Sequence, residues 1–253
     1  MIKIVISPAK KLDLKNPYPT FEYTQPIFLD DAEKIIEVMR HKSPVEIKSL
    51  MKLSDNLAEL NWHRYQNWKK ETDPSTARPA IYTFNGNVYD GLSVQNLPHN
   101  KLPFLNNSLR ILSGLYGLLR PFDYIYPYRM EMGTKLSFDT YKNLYEFWRA
   151  KVTDRFNDEM NQDDFLVNLA SQEYFKVINT KRLKVPVYDI VFKEYKNGEL
   201  KTISLYAKIA RGLMTRFIVQ NEIKNPEELK LFDREGYAFD ANLSGDYKLV
   251  FTR

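Results

Sequence analysis

The sequence contains no cysteine among its 253 residues. Disulfide bridges, thiolate nucleophiles, zinc–thiolate sites and cysteine-bound iron–sulfur clusters are therefore excluded. Long apolar runs are missing too, since no stretch approaches the length that spans a bilayer. The opening segment Met1–Pro8 is too short an apolar run for a signal peptide, and its pattern predicts a β-strand. The sequence therefore predicts a cytoplasmic protein without a membrane partner.

Histidine is also scarce. His41, His63 and His99 are scattered along the chain, and none has a second histidine or a glutamate at metal-ligand spacing. Paired acidic residues such as Asp163 and Asp164 are more typical of turns and helix caps than of metal ligands. We therefore predict no metal site and no cofactor, and we assign no catalytic residue.

The charge balance is moderately basic. Lysine and arginine total 37 against 32 aspartate and glutamate residues, which gives a formal charge of +5 and a pI near 9.0. This balance permits nucleic acid or another polyanion as a partner without requiring one. Hydrophobic residues make up 43% of the chain, enough for a substantial core.

Strand-like and helix-like patterns interleave along the whole chain, with no repeat and no linker. We therefore predict one α/β or α+β domain over residues 1–253, with a mixed sheet flanked by helices. Short apolar runs predict strands at Ile2–Ser7, Ala80–Phe84, Arg110–Ser113, Phe165–Ala170, Val185–Tyr195, Leu200–Tyr206 and Tyr247–Phe251. Helices are predicted at Asp30–His41, Pro44–Lys52, Asp55–Lys69, Leu144–Met160 and Ala207–Asn221. Surface loops are predicted at Lys11–Pro26 and Asn96–Asn107.

Two local patterns fix the ends of predicted elements. Ser43, Pro44 and Glu46 form a capping box with proline at the first helical position, which predicts a helix start. Asn197-Gly198 joins two strand-like runs, and both residues tolerate the positive φ of a two-residue hairpin turn.

The most informative feature is a set of cations among turn-forming and apolar residues rather than on charge-rich helix faces. Low-dielectric walls strengthen the field of such a cation on an anionic ligand, so we predict a positively charged cleft. Each cation also has an alternative interpretation as an ordinary solvated side chain. The predicted anion-binding or DNA-binding residues are Lys10, Arg120, Arg129, Lys176, Lys208, Arg211 and Arg216.

Polar residues near these cations are candidates for the same cleft. Glu131 is more typical of an ion-pair partner of Arg129 than of a general base, and Ser171 also fits a helix N-cap. Gly212 lies within a predicted helix and indicates a close contact there, because glycine lowers helix stability. The polar cleft candidates are Ser7, Ser113, Tyr116, Glu131, Asn168 and Ser171.

Taken together, several phrases of the sequence resemble the YaaA-type peroxide stress protein family. The resemblance runs from the first strand to Phe251, and the joint order and spacing of the phrases are specific. It implies one compact α/β domain with a positively charged cleft in a bacterial cytoplasmic protein. It also implies binding of double-stranded DNA and a role in surviving hydrogen peroxide by limiting free intracellular iron. The phrases are Ile6–Lys10, Leu112–Pro121, Pro127–Gly133, Asn168–Ser171, Tyr206–Lys208 and Ala210–Met214.

The resemblance further implies a helix-hairpin-helix element, which this sequence would place at 44–68. Its hairpin, Leu53–Leu57, departs from the family pattern because it has no glycine and contains a carboxylate. Asn87 is a second departure, since the resemblance implies aspartate at that position.

Three hypotheses follow from these patterns. The first is a DNA-binding stress protein, and the second is an enzyme that acts on a small phosphorylated or nucleotide-like molecule in the same cleft. The third, direct iron chelation, is disfavoured because no cluster of imidazole or carboxylate ligands can be assembled. The oligomeric state is left open.

Overall fold

The fold is described from a computed structural model that covers residues 1–19, 22 and 24–253. Its centre is a mixed eight-stranded sheet in the order β11-β12-β9-β8-β1-β5-β6, with β10 paired to β9. These strands are β1 (Ile2–Ile6), β5 (Leu109–Ser113), β6 (Gly117–Leu119), β8 (Phe165–Asn168), β9 (Val187–Lys196), β10 (Glu199–Lys201), β11 (Ala238–Phe239) and β12 (Lys248–Thr252). This sheet confirms the predicted α/β class and the single domain.

Strand β1 lies in the interior of the sheet, between β8 and β5, because it can be buried on both faces. All residues of β1 and β5 are buried, as expected for parallel strands covered on both sides. Strand β1 pairs in parallel with both β5 and β8. The carboxyl ends of β1 and β8 therefore lie side by side, at the edge where open sheets commonly hold ligands.

Helices and two small strand pairs surround this sheet. The α-helices are α1 (Leu29–Arg40), α2 (Pro44–Met51), α3 (Asp55–Asn67), α4 (Ala80–Thr83), α5 (Asn87–Leu92), α6 (Leu102–Ser108), α7 (Leu144–Glu159), α8 (Gln172–Phe175) and α9 (Ser204–Asn221). The 3-10 helices are Val94–Asn96, His99–Lys101, Pro226–Leu231 and Arg234–Gly236. The small pairs join β2 (Lys11–Leu12) to β4 (Phe84–Asn85) and β3 (Arg78–Pro79) to β7 (Tyr124–Ile125).

Both local predictions about element ends are confirmed. The Ser43 side chain accepts a hydrogen bond from the Glu46 amide, and the Glu46 carboxylate accepts one from the Ser43 amide. Asn197 and Gly198 take φ values of 54° and 79° between β9 and β10. The predicted strands at Ile2–Ser7, Arg110–Ser113, Phe165–Ala170 and Tyr247–Phe251 and the five predicted helices are present, with ends shifted by a few residues.

Three predictions of local structure are wrong. The predicted strand Ala80–Phe84 is mostly helix α4, because a run buried on every side has no periodicity that separates helix from strand. The predicted loop Asn96–Asn107 contains α6, which carries proline in its first turn, where a missing amide is tolerated. The predicted strand Leu200–Tyr206 ends at Lys201, and α9 begins at Ser204.

The predicted loop Lys11–Pro26 is only partly described. It contains the short strand β2, whereas positions 20, 21 and 23 lie outside the described residues.

Helices α2 and α3 occupy the segment 44–68 in which a helix-hairpin-helix element is predicted. Lys52, at φ 53°, ends α2 in the left-handed conformation. The Leu53 amide donates to the Lys48 carbonyl, and the Lys48 ammonium lies 2.7 Å from a carboxylate oxygen of Asp55. The Leu53 amide and the Lys48 ammonium therefore both have partners within this segment. The helix-hairpin-helix element as a DNA-binding element stays a prediction.

Candidate anion-binding site

The candidate site begins at the adjacent carboxyl ends of β1 and β8. Ser7 follows β1 and Ser171 follows β8. The Ser171 amide donates to the Ser7 hydroxyl oxygen at 2.9 Å, and the two hydroxyl oxygens lie 3.2 Å apart. The two polar residues predicted for the cleft thus meet where the sheet ends.

Two other structural units are brought to the same edge. The β2–β4 pair holds the segment after β1 beside the start of α5. Helix α9 packs closely on α5 through Gly212, which confirms the close contact predicted at this glycine. This packing of α9 on α5 places Lys208 and Arg211 near the residues that follow β1.

These units enclose a recess of about 330 Å³, which we call the first recess. Its lining comes from four segments that are distant in the sequence. The lining residues are Ser7, Pro8, Ala9, Lys10, Lys11, Asn85, Gly86, Asn87, Val88, Tyr89, Leu169, Ser171, Glu173, Tyr174, Lys208 and Arg211. Three of the seven predicted cations, Lys10, Lys208 and Arg211, therefore converge on it, beside Lys11 and the carboxylate of Glu173.

Arg211 differs from the other arginines predicted for the cleft. Its side chain is half-buried, and burial lowers the pKa of its guanidinium. Among the described residues, none accepts a hydrogen bond from this guanidinium and none forms an ion pair with it. A partly desolvated cation without a counter-charge is unfavourable by itself, so an anionic ligand would stabilise it.

Lys10 and Arg129 share one carboxylate. The Arg129 Nε and Nη2 atoms lie 3.1 Å from Glu131 Oε1, and the Lys10 ammonium lies 3.4 Å from the same oxygen. The interpretation of Glu131 as an ion-pair partner of Arg129 is confirmed. Lys10 is exposed, and it lines both the first recess and the narrow space beside Glu131.

Two predicted cations bind the protein itself. Arg120 donates to the buried Asp123 carboxylate at 3.0 Å and to the Gln25 carbonyl. Arg216 donates through its two terminal nitrogens to the backbone carbonyls of Leu92, Ser93 and Asn96. The structure places both outside the first recess, where they hold neighbouring segments together.

Lys176 and three of the polar candidates also lie away from the first recess. Lys176 is exposed just after α8. Ser113 and Tyr116 are buried in the core, where the Ser113 hydroxyl lies 2.6 Å from that of Tyr128 and the Tyr116 hydroxyl accepts from Trp68. Asn168 lines a neighbouring recess.

Two tyrosines form the less polar part of the first recess. Burial raises the pKa of both Tyr89 and Tyr174 well above the ordinary value of a phenol. Their hydroxyl groups therefore stay protonated and neutral, and that of Tyr89 donates to the Ser7 carbonyl at 3.2 Å. These rings give the first recess low-dielectric walls beside its cations.

Several residues that line the first recess were not predicted from the sequence. They are Lys11, Glu173, Tyr174 and Asn85–Tyr89. Gly86 is the residue that could have indicated the segment Asn85–Tyr89, since a β-carbon on it would lie 3.3 Å from that of Ala9. Glycine thus permits the approach of the α5 start to the segment after β1.

The described residues contain no group of three or more histidine, aspartate or glutamate side chains arranged to hold a metal ion. No helix that they form combines the length and the apolar character needed to cross a bilayer.

Sequence comparison decides the family. A family model described as "Peroxide stress protein YaaA" matches residues 2–243. The chain belongs to the YaaA family. A relative from Flavobacterium johnsoniae, named a UPF0246 protein, is 52% identical over 252 residues and covers 100% of both chains. Another UPF0246 protein, from Aliivibrio fischeri strain ES114, is 48% identical over 252 residues and covers 99% of this chain and 97% of its own. The resemblance noted from the sequence phrases is therefore confirmed.

Proposed function

We propose that this YaaA-family protein acts in the peroxide stress response by binding DNA through the cations of the first recess. The observation that carries the proposal is Arg211, a half-buried guanidinium without a counter-charge among the described residues. Lys208 lies one helical turn away on the same face of α9, since residues three apart on a helix are neighbours. Lys10 approaches from the end of β1. Two oxygens of a phosphate group can accept in parallel from the planar fork of a guanidinium.

The proposed positively charged cleft is centred on these three residues. Lys10, Lys11, Lys208 and Arg211 line the first recess together with the carboxylate of Glu173. Cations grouped at one opening attract a polyanion over distances of about 10 Å at moderate salt. Lys10 and Lys208 are exposed, so both can reach a DNA backbone that lies across the opening.

We infer that the protection against free iron is indirect. The described residues offer no cluster of metal ligands, and ferrous iron prefers imidazole and carboxylate groups together. A protein bound to DNA can shield the phosphate backbone to which iron ions are attracted. A bacterial cytoplasmic setting is part of the same proposal.

The second candidate function is an enzyme that acts on a small phosphorylated or nucleotide-like molecule. The volume of about 330 Å³ favours it, because recesses for small ligands begin at about 300 Å³. The Ser7–Ser171 pair adds hydroxyl groups that backbone binding of DNA does not need. In this candidate the same cations bind the phosphate of the substrate.

Fluorescence anisotropy with a labelled DNA duplex tests the proposal. We expect Arg211→Gln and Lys208→Gln each to weaken binding by about ten-fold, the effect of losing one charge-assisted contact of roughly 1.4 kcal/mol. Lys224→Gln is the matched control, because Lys224 is an exposed lysine beyond the end of α9. Equal affinity of all three variants and the wild type would refute the role of the first recess in DNA binding.

A further inference from the structure

A second recess of about 500 Å³ lies next to the first. The segment Asn168–Gln172 separates the two. Leu169 and Ser171 line the first recess, whereas Asn168, Ala170 and Gln172 line the second. This segment therefore forms a thin wall with a recess on each side.

Arg211 lines both recesses. It projects from α9, and the two recesses adjoin at its side chain. Ala207, one turn earlier on α9, faces the second recess, while Lys208 faces the first. A ligand whose anionic group binds Arg211 from the first recess can therefore extend past it into the second.

The second recess combines apolar and charged groups. Phe175, Ile190 and Phe192 supply apolar and aromatic surface, and the exposed side chains of Asp189 and Lys248 supply one charge of each sign. Asn168 donates its amide to Asp189 Oδ1 at 2.7 Å, which holds the carboxylate at the rim. Among the described residues, none donates a hydrogen bond to the other oxygen of Asp189. That oxygen is an acceptor, and an amino group is the donor that it suits.

We infer that the two recesses form one site for a nucleotide unit. Its phosphate binds Lys208 and Arg211 in the first recess, and its base enters the second with an exocyclic amino group donating to Asp189. The phosphate half of this inference rests on the proposed function, whereas the base half rests on the second recess. A carboxylate selects bases that carry an amino group, such as cytosine, over thymine, which has none to offer.

Two sources can supply such a nucleotide unit. One is a free mononucleotide, and the other is an unpaired nucleotide in a DNA strand. A paired base inside a duplex is stacked and reaches a protein recess only after extrusion from the helix. Both sources present the same phosphate, sugar and base, so the chemistry of recognition is shared.

Calorimetric titration of the full chain separates the two halves of the site. The ligands are inorganic phosphate, deoxyribose phosphate, deoxycytidine monophosphate and thymidine monophosphate. We expect deoxycytidine monophosphate to bind at least about ten-fold more tightly than thymidine monophosphate or deoxyribose phosphate. Asp189→Ala should remove the preference for cytosine and leave phosphate binding unchanged. Asp163→Ala is the control, since Asp163 is an exposed aspartate that lines neither recess.

Short single strands of deoxycytidine and of thymidine identify the source. A cytosine preference that depends on Asp189 and appears with the mononucleotides supports the inference with a free nucleotide as ligand. The same preference confined to the strands supports it with DNA as the source. If neither set of ligands shows any dependence on the base, the inference is overturned. Loss of phosphate binding in Arg211→Gln would then still uphold the proposed function, and unchanged phosphate binding in that variant would overturn both.

Discussion

Gly91 of α5 and Gly212 of α9 lie against each other where the two helices cross. A β-carbon on Gly212 would lie 2.0 Å from the Val88 carbonyl oxygen, and one on Gly91 would lie 2.2 Å from that of Ile209. Neither position has room for a side chain unless the backbones separate. This contact sets how near Arg211 comes to the start of α5, so it determines the width of the first recess.

The first prediction concerns this crossing. Gly212→Ala should force α5 and α9 apart and lower the free energy of unfolding by about 3 kcal/mol, the upper range for overpacking a core. Urea denaturation measures the change. The variant should also bind DNA more weakly, because the first recess widens.

Gly245→Ala is the matched control for this substitution. A β-carbon there would contact nothing within 4 Å, so the change in stability should stay within about 1 kcal/mol. A Gly212→Ala protein as stable as the wild type would show that the crossing is not tight.

The second prediction separates a ligand-binding arginine from a structural one. Arg211→Gln should raise the free energy of unfolding by about 1 kcal/mol, because it removes a half-buried charge that has no counter-charge among the described residues. Arg216→Gln should lower it by about 2 kcal/mol, because three backbone carbonyls lose a charged donor. Thermal or urea denaturation compares the two. If Arg211→Gln is the more destabilising of the pair, Arg211 is a structural residue.

The roles of these arginines could not be separated from the sequence. Arg120, Arg211 and Arg216 all lie beside apolar or turn-forming residues, which is the pattern that predicted a cleft. Whether such a cation faces a cavity or backbone carbonyls depends on which segments pack around it. Carbonyls at the end of α5 surround Arg216, and their position follows from the α5–α9 crossing.

The sequence predicted the sheet better than its surroundings. Strands β1, β5 and β8 are short apolar runs bounded by turn residues, and that local pattern suffices to find them. Helix α4 is buried throughout, so its sequence has no polar face to reveal a helical period. The convergence of Lys10 with Lys208 rests on contacts between segments about 200 residues apart, which local patterns cannot specify.

The third prediction concerns a buried ion cluster at the opposite edge of the sheet. Glu159 accepts from the Arg110 guanidinium at 2.9 Å and lies 3.5 Å from the Lys3 ammonium, with all three side chains nearly buried. Glu159→Gln should lower the free energy of unfolding by about 3–5 kcal/mol, because two buried cations lose their counter-charge. Glu199→Gln, in an exposed ion pair with Lys201, should change it by less than about 1 kcal/mol.

The ionisation of Glu159 also makes the stability of the protein depend on pH. Burial alone opposes ionisation of Glu159, yet Arg110 and Lys3 hold its pKa below the ordinary 4.5. Because folding lowers the pKa of Glu159, the ionised carboxylate stabilises the folded protein at pH values above its ordinary pKa. This contribution is lost as the pH falls through the pKa of the folded state. The stability difference between wild type and Glu159→Gln should therefore shrink between pH 7 and about pH 3. A difference that stays constant over this range would contradict the assignment.

The fourth prediction concerns Glu131, which neutralises two cations beside the first recess. Glu131→Gln should free Lys10 and Arg129 for phosphate and strengthen DNA binding by about two- to five-fold, the scale of a partly exposed ion pair. Anisotropy titration at low salt measures this change. Glu227→Gln, in an exposed pair with Lys230, should leave the affinity unchanged. Weaker DNA binding by Glu131→Gln would mean that Glu131 holds Lys10 in its binding position.

The most direct measurement is the salt dependence of DNA affinity for the wild type and for the double variant Lys208→Gln, Arg211→Gln. Each phosphate that the protein neutralises contributes about 0.9 to the slope of log affinity against log salt concentration. We expect the log affinity of the wild type to fall linearly with log salt concentration, and the slope of the double variant to be smaller by about 1.8. Identical slopes for the two proteins would contradict the claim that these side chains bind the phosphates of DNA.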